Sequence, residues 1–105
     1  MAFCQIVDKP TQSDEQATRL LALLRDSGPM PPEGARLVMA GPADRGWRVV
    51  AVWDTRQACD RFIAERLKPA YAEIGLPYDE IELTTFELHT LVAGDLTGTL
   101  EPAGV

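Results

Sequence analysis

WRVVAVWD, residues 47–54, decides the fold of this chain. Val and Trp dominate it, as they do in strands. In a strand, alternate side chains point to opposite faces. Trp47, Val49, Ala51 and Trp53 then share one face, and Arg48, Val50, Val52 and Asp54 the other. Val50 and Val52 make the second face apolar as well, so the strand lacks the in/out alternation of a sheet that meets water on one side. A chain of 105 residues builds one domain around a modest core. Helices packed on one face leave the other uncovered, and a second copy of the chain is the simplest cover, so a homodimer is expected.

The neighbouring segments supply the other elements. ARLVMAG (35–41) reads as a strand, joined to 47–54 through PADRG, a hairpin connection containing Gly46. AFCQIV (2–7) reads as a first strand. SDEQATRLLALLRDSG (13–28) reads as a helix with a capping box at Ser13 and Gln16, acidic residues at Asp14 and Glu15, and an apolar stripe of Ala17, Leu20, Leu21 and Leu24. Gly28 is placed to end it, and the proline-rich GPMPPEG (28–34) is a stiff loop. After the central strand, Asp54 and Gln57 suggest a second capping box and a helix opening on Thr55. Cys59, Phe62, Ile63, Leu67, Ala70, Tyr71 and Ile74 keep helical spacing, and IELTTFELHTLV (81–92) reads as a fourth strand. The order β-α-β-β-α-β defines an α+β, ferredoxin-like pattern: a four-stranded antiparallel sheet with two helices on one face. The domain is expected to span residues 1–93. The tail, residues 94–105, should pack on its own subunit or the partner through Leu96 and Leu100.

Pro69 interrupts the second helix in RFIAERLKPAYAEIGLP (61–77). Proline removes one helical N–H, and its ring meets the carbonyl four residues back, here that of Glu65. The helix should bend or restart there, with Pro69 in the first turn of the new segment. Such a bend lets Leu67, Tyr71 and Ile74 follow a twisted sheet, and it loosens the helix–sheet seam where a cleft for a ligand would open.

The formal charge is −6 and there is no basic run, which disfavours nucleic acid as a partner. No apolar run approaches the ~20 residues of a membrane span, and MAFCQIVDKP (1–10) has no features of a signal peptide. A cytoplasmic protein with no membrane association is expected. Cys4 and Cys59 form no metal-ligand pattern and should be reduced, buried thiols. No phosphate-cradling glycine loop, Ser-His-Asp pattern or metal cluster is present, so neither a metal nor another cofactor is expected.

His89 is the single histidine and stands two residues after Glu87. On a strand these two share a face about 7 Å apart, spacing suited to a base and a carboxylate that raises its pKa, or else to a polar strand end in water. Trp47 and Trp53 form a flat apolar wall, for a flat ligand or for the core. Tyr71 and Tyr78 bracket the GLP turn, where a hydroxyl can orient an oxygen or reach solvent. Arg48, among apolar neighbours, should pair with an acidic group at the dimer edge.

GWRVVAVWDTRQACDRFIAERLKPAYAEIGLP (46–77) carries a resemblance to a known family. The strand ending in Val52-Trp53, the polar turn at Asp54-Thr55, the aromatic Phe62, then RLKPA and GLP, resemble the dimeric α+β-barrel proteins of the antibiotic-biosynthesis monooxygenase-like group. The resemblance covers residues 35–92 and implies two sheets facing across a dimer with the helices outside. It implies a small-molecule enzyme that oxidises or rearranges an apolar or aromatic metabolite, without a metal, in a cleft between helices and sheet. There His89, Tyr71 and Glu87 are the catalytic candidates, and Trp53, Phe62, Trp47 and Leu67 the substrate-binding ones. Haem-degrading members carry Trp where Phe62 stands and a haem-ligating His where Ala72 stands; Ala72 cannot ligate iron. Val38 stands where close relatives have a His in the second strand. The competing expectation is a non-catalytic dimer that binds a ligand or serves a structural role.

Overall fold

A computed structural model describes residues 2–92 and 94. The elements are β1 (Phe3–Lys9), α1 (Asp14–Ser27), β2 (Ala35–Pro42), β3 (Trp47–Trp53), α2 (Arg56–Phe62), a π turn (Ile63–Leu67), α3 (Lys68–Glu73), a 3-10 turn (Tyr78–Glu80) and β4 (Glu82–Glu87). The strands form one antiparallel sheet in the order β2-β3-β1-β4. This is the ferredoxin-like fold, with the helices on one face.

The register assigns each side chain to a face. Rows running Ala35–Trp53–Phe3–Glu87, Val38–Ala51–Gln5–Thr85 and Ala40–Val49–Val7–Leu83 lie toward the helices. Leu37–Val52–Cys4–Phe86, Met39–Val50–Ile6–Thr84 and Gly41–Arg48–Asp8–Glu82 lie on the outer face. The first two outer rows are mainly apolar and the third is charged. Met39 and Phe86 are about half exposed, at 49% and 50%. Arg48 Nε donates to Asp8 Oδ1 at 2.6 Å, so its acidic partner is the neighbouring strand of the same chain.

The core has two apolar clusters under the helices. Phe3, Ala51, Trp53 and Cys59 form one; Leu20, Leu24, Ala70 and Tyr71 form the other. Phe62 packs against both. Leu21, expected within the stripe of α1, is 39% exposed, while Leu20 and Leu24 face the core. The Ser13–Gln16 capping box is formed at the start of α1. The second cap differs from expectation. Thr55, not Asp54, is the N-cap of α2, its hydroxyl accepting from the Ala58 amide, while Asp54 is drawn off into an ion pair with Arg36.

Around Pro69 the helix widens. The Lys68 N–H reaches back to the Ile63 carbonyl, five residues away, and α3 begins with Pro69 in its first turn. The wide turn relieves the conflict between the proline ring and the preceding carbonyls while helical direction is retained.

β1 and β4 differ in extent from the sequence reading. β1 runs on through Asp8 to Lys9, and β4 stops at Glu87 rather than Val92. β4 is an edge strand that pairs only with β1; the Leu88 N–H still reaches the Ala2 carbonyl, beyond which β1 offers no further described ladder partner. Gly46 closes the β2–β3 hairpin at φ 65°, against the β1–α1 turn, where an added Cβ would lie 1.9 Å from the Lys9 carbonyl oxygen. No described helix is long and apolar enough to cross a membrane. Leu96 and Leu100, assigned to tail docking, lie outside the described residues.

Candidate functional site

The helix–sheet seam has a packed end and a polar end. At the packed end Trp53 is 2% exposed, its ring 5.6 Å from that of Phe62, and its indole N–H donates to Gln5 Oε1 at 3.2 Å. Arg56 lies over the Phe3 ring at 4.9 Å. Cys59 is buried beside them, and burial foremost pushes its thiol up to about 11, so it is an inert core group at neutral pH.

At the other end, six residues along β1 and so about 20 Å away, the seam holds buried polar groups. Lys9 points toward the helices, is 8% exposed, and carries its ammonium 5.1 Å from the centre of the Tyr71 ring. Burial lowers its pKa to about 8. Gln12 is buried in the turn that follows. Tyr71 is 3% exposed, and its hydroxyl has no hydrogen-bond partner among the described residues. Burial raises that hydroxyl to about 12; the Gln12 side chain lies close enough to oppose the shift but does not meet hydrogen-bond geometry. Tyr78 meets the Tyr71 ring edge-on at 5.3 Å. Lys9, Thr11, Gln12, Tyr71, Glu80 and Ile81, together with Leu76 and Pro77, line a cavity of about 20 Å³. That is room for about one water or one ligand oxygen.

The candidate residues divide between these ends. Trp53 and Phe62 touch at the packed end, and Leu67 packs in the Leu20–Leu24–Tyr71 cluster. Trp47 shares the helix-facing side of β3 but sits opposite Lys9, its indole N–H donating to Asp14 Oδ1 at 2.7 Å. Glu87 ends β4 opposite Phe3 and is exposed. His89, expected on the strand, lies beyond it; it is exposed and its Nδ1 is 2.5 Å from Thr90 Oγ1. The fold thus places Glu87 and His89 at the end of the sheet opposite Tyr71. A first strand read as ending at Val7 stops short of Lys9 and Gln12, whereas β1 runs to Lys9. Continuing the alternation Phe3, Gln5, Val7 by one step puts Lys9 on the buried face.

Two other concavities occur. One of about 490 Å³ lies on the outer sheet face, over Met39 and Val50 and between Asp8, Arg45, Arg48 and Glu82. The other, about 220 Å³, lies outside α2 between Pro32, Ala58, Phe62 and Arg66. Among the described residues no group of three or more His, Cys, Asp or Glu is arranged to hold a metal ion.

No protein-family model matches the chain, and no curated protein matches it. Solved structures do. The chain is similar to a dimeric ferredoxin-like protein of unknown function from Jannaschia sp. CCS1 (TM-score 0.61, 12% identity, 84% of this chain and 100% of that one). It is similar to a conserved protein from Methanosarcina mazei Go1 (TM-score 0.59, 15% identity, 83% and 93%). It is also similar to a candidate antibiotic biosynthesis monooxygenase from Deinococcus radiodurans (TM-score 0.55, 17% identity, 93% and 100%). At these identities the likeness is one of fold. The chain shares their ferredoxin-like architecture.

Proposed function

We propose that the chain is a homodimeric small-molecule enzyme of the antibiotic-biosynthesis monooxygenase-like type, acting in the cytoplasm without a metal on an apolar or aromatic metabolite. The observation that carries this reading is the Tyr71 hydroxyl, buried in the helix–sheet seam without a partner and beside Lys9. A buried polar group left unpaired costs stability, and such costs concentrate where a ligand completes the pairing. Tyr71 orients the ligand oxygen in this reading; Phe62 and Leu67 pack against the cluster that holds it, and Trp53 closes the far end of the seam. Dimerisation is supported by the two apolar outer rows with half-exposed Met39 and Phe86, and by the dimeric neighbour of the same fold. The sheet-to-sheet interface should bury at least about 1,000 Å².

One observation favours a second reading. Trp53 and Phe62 fill the packed end of the seam, as they would in a non-catalytic dimer that binds a ligand or serves a structural role. Native mass spectrometry of freshly purified protein tests both. A dimer carrying a small aromatic ligand is expected, and Tyr71→Phe should slow that ligand's conversion without changing the fold. A ligand bound but never converted leaves the binding role; a monomer without ligand removes both readings.

A further inference from the structure

Lys9, Gln12 and Tyr71 come from β1, the turn after it and α3, and each is more than nine-tenths buried. They converge on a cavity large enough for one oxygen atom. We propose that this pocket takes the hydroxyl of a phenolic or enolic metabolite, with Lys9 receiving its proton and Tyr71 donating a hydrogen bond to the resulting oxyanion. In that step the ligand O–H bond breaks and its proton forms a new bond with the lone pair of the neutral Lys9 amine. The electron pair stays on the ligand oxygen, which accepts from the Tyr71 hydroxyl.

The surroundings favour an acid that arrives neutral. A carboxylate brings two oxygens and a full charge to a space that fits one atom, whereas a phenol brings one oxygen and becomes charged only beside the ammonium it creates. Burial lowers the Lys9 pKa to about 8, so the neutral amine that accepts the proton predominates above that pH. Leu76, Pro77 and Ile81 add apolar lining to the same cavity. The other charged and titratable groups nearby are Glu80, Tyr78 and Lys68. Glu80 lines the cavity and accepts from the Thr11 hydroxyl at 3.1 Å; Tyr78 stacks edge-on against Tyr71; Lys68 lies over the Tyr78 ring at 5.2 Å.

The inference rests on the small-molecule reading above but not on dimerisation. Titrating the protein into 2-naphthol, buffered above the Lys9 value of about 8 and below the naphthol's own ionisation, reads the proton transfer directly as phenolate absorbance. Saturable phenolate formation is expected with the native chain, loss of it in Lys9→Met, and about tenfold weaker binding in Tyr71→Phe. No binding, binding without ionisation, or ionisation undiminished in folded Lys9→Met overturns the inference. Should Lys9→Met fail to fold by circular dichroism, Tyr71→Phe decides, and unchanged affinity there overturns it equally. A co-purified ligand with no acidic O–H would leave the small-molecule reading standing and remove this one.

Discussion

Arg66, on the π turn, donates to the Leu24 carbonyl at 2.6 Å and to the Pro29 carbonyl at 2.7 Å, and so closes the C-terminal end of α1. Its Nε also donates to Ser27 Oγ at 3.2 Å, and its guanidinium lies 5.3 Å from the Phe62 ring centre. The wide turn that accommodates Pro69 thus lies where an arginine from the second helix can cap the first. The terminal carbonyls of a helix need external donors, and a planar guanidinium reaches several at once. Arg66→Met is expected to cost about 1.5–3 kcal/mol in chemical denaturation, the usual scale for hydrogen bonds to a charged group. Arg66→Lys should restore less than half. A loss below roughly 0.5 kcal/mol, the level of a neutral surface change, would show the contact to be ornamental.

Lys9 makes stability depend on pH in a defined direction. Folding lowers its pKa from 10.5 to about 8. Below the folded value both states hold the proton and the folded state bears the full cost of the buried ammonium. Between about 8 and 10.5 the unfolded chain binds more protons, so stability rises with pH. Cys59, raised from 9.0 to about 11, and Tyr71, raised from 10.0 to about 12, oppose this from pH 9.0 and 10.0 upward, where the unfolded chain ionises first. A rise confined mainly to pH 8–9 is therefore expected. Lys9→Met should abolish it and gain up to ~3 kcal/mol at pH 7. Parallel pH profiles of the two proteins would contradict this.

Tyr71 separates packing from polarity. Its ring is core, so Tyr71→Ala is expected to cost about 3–5 kcal/mol. Tyr71→Phe removes only an unpartnered buried hydroxyl and should be neutral or slightly stabilising in urea denaturation. A clear destabilisation by Tyr71→Phe would mean that the hydroxyl is satisfied in solution by a group it does not meet here.

The outer sheet face is the proposed dimer interface. Met39→Lys combined with Phe86→Lys should convert the expected dimer to a monomer in light scattering, with the far-ultraviolet circular dichroism retained. Both side chains are half exposed in the single chain, so their loss should not empty its core. A double variant that remains dimeric would place the interface elsewhere.

Gly46 tests the hairpin. Its positive φ and the 1.9 Å approach of an added Cβ to the Lys9 carbonyl oxygen leave no room for alanine. Gly46→Ala should cost at least ~1–2 kcal/mol, the penalty of the left-handed conformation alone. The displaced Lys9 backbone should also weaken any ligand binding at the Tyr71 end.

Local chemistry made much of the fold legible in the sequence. The period of two in residues 47–54, the Ser13–Gln16 box and the long 3.6-residue period through Tyr71 are written in adjacent residues, and the βαββαβ order followed from them. Pro69 signalled a restart because its ring acts on its own helix. Partners distant in sequence decided the rest. Asp54 had the composition of a cap, but Arg36 on the adjacent strand claimed its carboxylate and left the cap to Thr55. IELTTFELHTLV is strand-like throughout, yet its ladder follows β1 only as far as the Leu88–Ala2 bond, which left His89 outside the sheet. Lys9 resembles a turn residue until the register carries β1 two positions further and directs its amine at Tyr71, which lies 62 positions along the chain. Sequence determined the periods, caps and breaks because those depend on neighbours along the chain; tertiary structure alone determined which polar groups meet, because burial and pairing depend on neighbours across the sheet.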